Sequence, residues 1–276
     1  MNRPTARHRL VPLLLACLAA PSCGDDDEAA PPAIKAAKPP PPEVPDEDGI
    51  AIRAATDAAL TEAGFSPPRG LPTRAKRPGV EGKLRALHEI GGRAMALKAV
   101  ITWATRPEAE VPSDVIVEYV KRSGLKRYLN ETETGILAMD RGEANIGHAT
   151  EVRWKLENLW ALCWILGYAD APPVTGGRVS KTRADALMGE FVIGFSGDLK
   201  TFLTGATVRD ELEVAKLEDL YYCAHGAARA ASGEATNVVP ETFDREIDGG
   251  SIHERRHALT WALSPKTAWD ETDLTT

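Results

Sequence analysis

From residue 50 onward, apolar residues recur mostly at helical spacing. Ile50 to Ala63 is alanine-rich, keeps that spacing and runs into Gly64, a helix stop. A Pro-, Gly- and Arg-rich loop spans Ser66 to Gly82. Leu84 to Thr105 reads as a long helix closed by Pro107, with Leu84, Leu87, Ile90, Met95, Leu97, Val100, Ile101 and Trp103 on its buried side. Ser113 is placed to cap a short helix through Lys121 that stops at Gly124. Asn130 and Glu133 have capping-box spacing for a helix through Met139.

Glu151 to Leu166 carries the strongest pattern. Its second half is apolar nearly all round, which predicts burial among other helices, and Gly167 with Pro172-Pro173 ends it. Phe191 to Phe195 is the only convincing strand-like run. Val208 to Ala231 is a further long helix, with Leu212, Leu217, Leu220, Tyr221 and Cys223 inside it. Ser251, three positions before Glu254, predicts a capping box opening the last helix, which runs through Leu263. Helices joined by short connections predict an all-α, multi-helix globular domain with at most a minor strand element.

The first 48 residues break this pattern. Arg3, Arg7 and Arg9 precede an apolar run from Leu10 to Ala20, the arrangement of a secretory signal. The run is about half the ~20 residues a spanning helix needs. Ala20-Pro21-Ser22-Cys23 resembles the lipobox of bacterial lipoproteins, in which the cysteine is acylated, palmitate being one such acyl group, and becomes the first residue. Leu14-Leu15-Ala16-Cys17 matches residue by residue but would leave a very short apolar core, so Cys23 is preferred; cleavage near Ala20 without acylation is the alternative. Residues 24–28 are Gly and acid, and Ala29 to Asp48 is Ala, Pro, Lys and acid, including Pro39 to Pro42. Such sequence favours extended polyproline conformations and cannot pack a core. The expected organisation is therefore a lipoprotein signal peptide over 1–22, an acidic, proline-rich disordered tether over 23–48 and a helical domain over 49–276. It places the domain at the bacterial cell envelope, lipid-anchored on the periplasmic or extracellular face.

The chain holds 33 basic and 40 acidic residues. Without the three signal arginines the imbalance grows, so neither a nucleic-acid footprint nor electrostatic adhesion to anionic lipid is expected, and the lipid does the anchoring. Cys163 and Cys223 both fall on apolar helix faces, where free buried thiols are the simpler reading and a disulfide the alternative that export permits. With His225 they fall short of a closed zinc site.

His253-Glu254-Arg255-Arg256-His257 matches the zinc-peptidase pattern, in which two histidines one turn apart bind Zn²⁺ and the glutamate activates its water. Against it, Thr260 and Leu263 stand where a metzincin has Gly and His, and only 19 residues follow His257. Asp270, Glu271 or Asp273 would have to supply the third ligand through a short loop. In addition, Glu254 is claimed by the capping box, which puts His253 in a first turn.

The same segment resembles the C-terminal signature of the bacterial family called domain of unknown function 4272. The shared places are Glu254, Arg255, Arg256, Ala258, Leu259, Thr260, Trp261, Trp269, Asp270 and Asp273. Two positions depart: Leu274 follows Asp273 where the family closes on Thr, and Thr260 stands where Asn is usual. Glu157 to Gly167 resembles the family's tryptophan-rich central helix, and Arg53 with Ala63-Gly64-Phe65 and Leu71-Pro72 resembles its opening. The resemblance spans roughly 50–273. It implies no activity, and it leaves His253 outside the shared pattern.

Trp160, Trp164, Trp261 and Trp269 read first as core and second as pocket lining. Glu157, Arg255, Asp270 and Asp273 could form one charge network, with Arg255 or Arg256 clamping the C-terminal Asp270 or Asp273. Tyr221-Tyr222-Cys223-Ala224-His225 is a lesser cluster, with His225 read as an interior histidine. No glycine-rich phosphate loop follows a strand and no Gly-x-Ser-x-Gly elbow occurs, so no cofactor is expected. The expectation is a non-catalytic domain that binds a protein or small molecule, with a zinc hydrolase on His253, Glu254 and His257 as the alternative.

Overall fold

The protein is described by a computed structural model over residues 46–77, 83–192, 194–233 and 238–276. The signal, Cys17, Cys23 and nearly all of the tether lie outside the described residues, as do the end of the Ser66–Gly82 loop and Ile193. Residues from Pro45 onward form one compact unit.

α2 (Leu87–Thr105) is its axis. Every residue from Ile90 to Ala104 is buried, so this helix has no outer face, and the one-sided burial expected for it is too modest. Fully enclosed Ile90, Leu97 and Val100 are each worth ~1.5–3 kcal/mol of burial. Small residues make the enclosure possible. A Cβ on Gly92 would come within 2.2 Å of the Tyr128 ring, and one on Gly91 within 2.5 Å of Leu203. The 3₁₀ turn Leu125–Tyr128 and the short helix α7 (Leu199–Thr204) therefore rest directly on the α2 backbone.

α5 (Arg141–Ile165) packs along α2, α9 (Ile247–Ala262) along α5, α8 (Glu211–Ser232) along α9 and α1 (Glu47–Glu62) along α8. α3 (Ser113–Arg122) and α4 (Glu131–Ala138) cover another side of α2. The Asn130–Glu133 capping box forms as expected, and Asp210 with Glu213 makes a second one that opens α8 at Glu211 rather than Val208. Gly64, Gly124 and Gly167 take positive φ at their helix ends.

Other boundaries also differ from the sequence expectation, among them that of α2, which starts at Leu87 rather than Leu84. α1 starts at Glu47 because Asp46 accepts the Gly49 N–H at 3.0 Å. α5 starts at Arg141, where Asp140 accepts the Gly142 N–H at 2.7 Å. Its first turns are mostly solvent-exposed and so carry little apolar period. Ser113 is the first helical residue of α3, not its cap. α9 starts at Ile247, with the Asp244 carboxylate accepting the N–H groups of Glu246 and Ile247 at 2.9 and 2.8 Å. Ser251 thus lies inside the helix, and its hydroxyl donates to the Ile247 carbonyl at 2.8 Å. The Ser251–Glu254 capping box does not exist. Gly249-Gly250 looks like a break in sequence, but a Cβ on Gly250 would meet Trp154 at 2.7 Å. Glycine there lets α9 close onto α5.

The strand-like run holds no strand among its described residues. α6 (Lys181–Ala186) continues as one wide π turn, Leu187–Phe191, closed by the Val192 N–H on the Leu187 carbonyl at 3.3 Å. The described residues contain no strand. Cys163 and Cys223 are free and buried. The two thiols have different electrostatic surroundings, Lys98 of α2 near Cys163, and Asp219 and Arg53 near Cys223.

Candidate functional site

Consecutive arginines on α9 reach opposite neighbours. Arg255 pairs with Glu157 of α5, its Nε and Nη2 lying 2.8 and 2.7 Å from Oε2, and both residues are buried. Its remaining donors hold the carbonyls of Pro173 and Gly177 at 2.6 and 2.8 Å, and Glu157 Oε1 accepts the Val179 N–H at 2.6 Å. The pair ties the loop after α5 to α9.

Arg256 turns the other way. Its Nη1 lies 2.5 Å from His225 Nδ1, and it donates to the carbonyls of Leu274 and Thr275 at 2.8 and 3.0 Å. Burial, with the Arg256 charge next, pushes His225 down to about 3. The imidazole is therefore neutral and Nδ1 accepts. One turn on, Thr260 donates to Glu218 at 2.8 Å, and Glu218 takes a fork from Arg77 at 2.7 and 2.5 Å. Arg53 holds Asp219 through a second fork at 2.9 and 2.8 Å.

The expected single network of Glu157, Arg255, Asp270 and Asp273 is corrected by this geometry. Only Glu157 and Arg255 meet. Asp270 accepts from the Asn130 amide at 2.8 Å, and Asp273 accepts the Thr275 N–H at 2.9 Å. The C-terminal segment is pinned by an arginine as anticipated, but through its carbonyls.

Within the zinc-like motif, His257 Nε2 lies 2.9 Å from the Trp269 carbonyl. A carbonyl only accepts, so that nitrogen carries the proton. Burial pushes His257 down to about 4 despite that bond. His253 packs edge-on against His225 with ring centroids 5.3 Å apart. Burial raises the Glu254 carboxyl above its usual range. Among the described residues, no three His, Cys, Asp or Glu side chains gather closely enough to hold a metal ion.

The open feature lies where the segment after α9 faces the start of α2. Trp261 and Trp269 meet at 5.1 Å and 63°, with Arg85 over Trp261 at 4.2 Å and Arg93 over Trp269 at 3.9 Å. Arg93 forks onto Glu133 at 2.5 and 2.8 Å, and Lys155 approaches the same carboxylate at 3.0 Å. Burial would raise Glu133, but Arg93 and then Lys155 hold it down to about 2. Glu133 is also the capping-box residue of α4, so one carboxylate orders a helix start and an arginine. Arg85 donates to the carbonyls of Trp261, Ser264 and Thr267. These bonds frame a cleft of about 400 Å³ lined by Arg85, His88, Arg93, Arg127, Tyr128, Trp261 and Trp269 among others.

Of the sequence candidates, Trp261, Trp269 and Asp270 meet at this cleft. Trp160 and Trp164 are core, 8 and 7 % exposed, with the Trp160 indole donating to the Asp170 carbonyl at 2.9 Å. Arg93, Glu133, Arg85, Arg77 and Glu218 were not singled out as site residues. The signal existed for two of them: Arg93 interrupts the otherwise small and apolar Gly91 to Leu97, and Glu218-Asp219 sits between Leu217 and Leu220. A charge inside an apolar helical run is buried with a partner.

The described residues form a helical domain stitched by buried arginine–carboxylate pairs, with a cationic and aromatic cleft at its surface. A model of the family described as Domain of unknown function (DUF4272) matches residues 52–272, and the chain belongs to that family. Neither a curated protein nor a solved structure matches it.

Proposed function

We propose that this chain is an envelope lipoprotein, acylated on Cys23 and spaced from the bilayer by its proline-rich tether, whose helical domain binds its target without catalysis. The cleft between the start of α2 and the segment after α9 is the binding face. The observation that carries this reading is the rigid cationic and aromatic wall made by Arg85, Arg93, Trp261 and Trp269. Ligand sites are concave, largely preformed and marked by a few convergent polar groups. The His257 proton directed at the Trp269 carbonyl weighs against the zinc hydrolase, because the nitrogen a metal would need is occupied. No described helix is long and apolar enough to cross a membrane.

Two measurements test it. Mass spectrometry of the N-terminal peptide should find an acylated Cys23, and Cys23→Ser should release a folded chain from membranes. An unmodified chain starting after Ala20 overturns the anchor. Metal analysis of the purified chain should find no stoichiometric zinc; one zinc per chain, lost in His257→Ala, overturns the non-catalytic reading.

A further inference from the structure

The cleft does not end at Arg127. His88 and Arg127 also line a second, shallower groove of about 600 Å³ between the start of α2, the end of α3 and the start of α7. It is lined by His88, Arg122, Arg127 and Lys200 against a single carboxylate, Asp198. That carboxylate is engaged in capping α7, accepting the Thr201 N–H at 2.8 Å. Arg122 is set in place by the carbonyls of Phe195 and Gly197 at 2.5 and 3.0 Å, and Asp198 lies within electrostatic reach of both Arg122 and Lys200, which leaves the groove with more cations than carboxylates. Among the described residues Arg127 and Lys200 form no ion pair, and Arg127 lies over the Tyr128 ring at 4.9 Å. Ser123, on the same wall and 7 % exposed, has a buried hydroxyl with no hydrogen-bond partner among the described residues. In a chain of net charge -7, this groove carries a local surplus of cations.

We propose that this groove is an oxyanion subsite that takes the phosphoryl group of an organic phosphate, whose apolar or aromatic body runs past Arg127 into the Trp261–Trp269 cleft. The inference rests on the cleft being the binding face and names the class of ligand. Two planar guanidinium forks and an ammonium suit the tetrahedral oxyanion of a phosphate ester. An unpaired buried hydroxyl gains a partner when that anion arrives. Leu199 and Leu203 give the groove an apolar edge. The phosphoryl group can come from a soluble phosphate monoester or from a phospholipid headgroup.

The test is calorimetric titration of the purified full-length chain with phenyl phosphate, and separately with dihexanoylphosphatidylglycerol below its micellar concentration. At least one binds the wild-type chain, with affinity falling as salt rises. The double variant Arg127→Glu/Lys200→Glu loses tenfold or more while its thermal midpoint stays put, since both side chains are exposed. Tighter phenyl phosphate assigns a soluble ligand, and a tighter lipid assigns a headgroup; either supports the subsite. No binding of either at millimolar concentration overturns the inference, as does binding that survives the double variant within twofold. If the double variant unfolds, Arg127→Gln alone makes the same comparison. Failure here leaves the non-catalytic reading standing, because that reading falls only on zinc stoichiometry.

Discussion

Arg255 and Arg127 mark the two ways this domain uses a guanidinium. Arg255 is 1 % exposed, and Glu157, Pro173 and Gly177 take its bonds. Arg127 is exposed, rests on the Tyr128 ring and faces a groove. Both are arginines beside tryptophan-rich segments, yet one holds architecture and the other is available to a ligand. The difference lies in burial and in whether a carboxylate completes the charge. Removing one partner of a buried pair strands the other, whereas altering an exposed charge changes what can bind and little else.

That contrast can be broken by mutation. The largest effect is expected from Arg255→Ala, which strands Glu157 inside the protein at a cost of about 3–5 kcal/mol. Urea unfolding reads this directly, and a loss below ~1 kcal/mol would show that water reaches Glu157 and that the pair is not structural. Next comes Gly92→Ala. The added methyl collides with the Tyr128 ring, with a cost of about 1–3 kcal/mol and displacement of the turn that carries Arg127. An unchanged midpoint together with unchanged cleft binding would show that Tyr128 does not set the cleft wall.

A smaller effect follows pH. His225 and His257 have folded values of about 3 and about 4 against an ordinary 6.5. A depressed value means the folded state resists protonation, so their contribution is present above pH 6.5 and is lost as pH falls toward 4 and then 3. Glu133, at about 2 against 4.5, adds a loss that begins below pH 4.5. Stability should therefore be level just above neutrality, decline from pH 6.5 and decline more steeply below 4.5. The first phase should shrink in His257→Gln. A flat profile between pH 6.5 and 4.5 would mean that both rings take up protons freely.

Much of the helix inventory was legible because apolar period, caps and glycine stops agreed at α2, α4 and the end of α5. Three failures have separate physical causes. The first turns of α5 are largely exposed, so solvent rather than packing faces them and the period fades. Gly249-Gly250 is a close-packing device that imitates a loop. The Phe191 to Phe195 run has β-like residues, but Phe191 and Val192 close a π turn, because tertiary contact overrides local propensity. The candidate site was half legible. Trp261, Trp269 and Asp270 stand out by composition, and Arg255 and Glu157 belong to an expected four-residue network of which only that pair meets. Arg85 and Arg127 do not stand out, because their role depends on the segment after α9 folding back over α2, a contact between residues 176 to 182 positions apart for Arg85. Local spacing does not encode that return.

The smallest effect on stability and the largest on binding should coincide in Arg127→Glu. Its urea midpoint and its phenyl phosphate titration, taken side by side with the wild-type chain, test the separation of architecture from ligand site most directly. The account predicts stability within ~0.5 kcal/mol of wild type and at least a tenfold loss of phosphate affinity. A clear loss of stability with phosphate binding intact would contradict it.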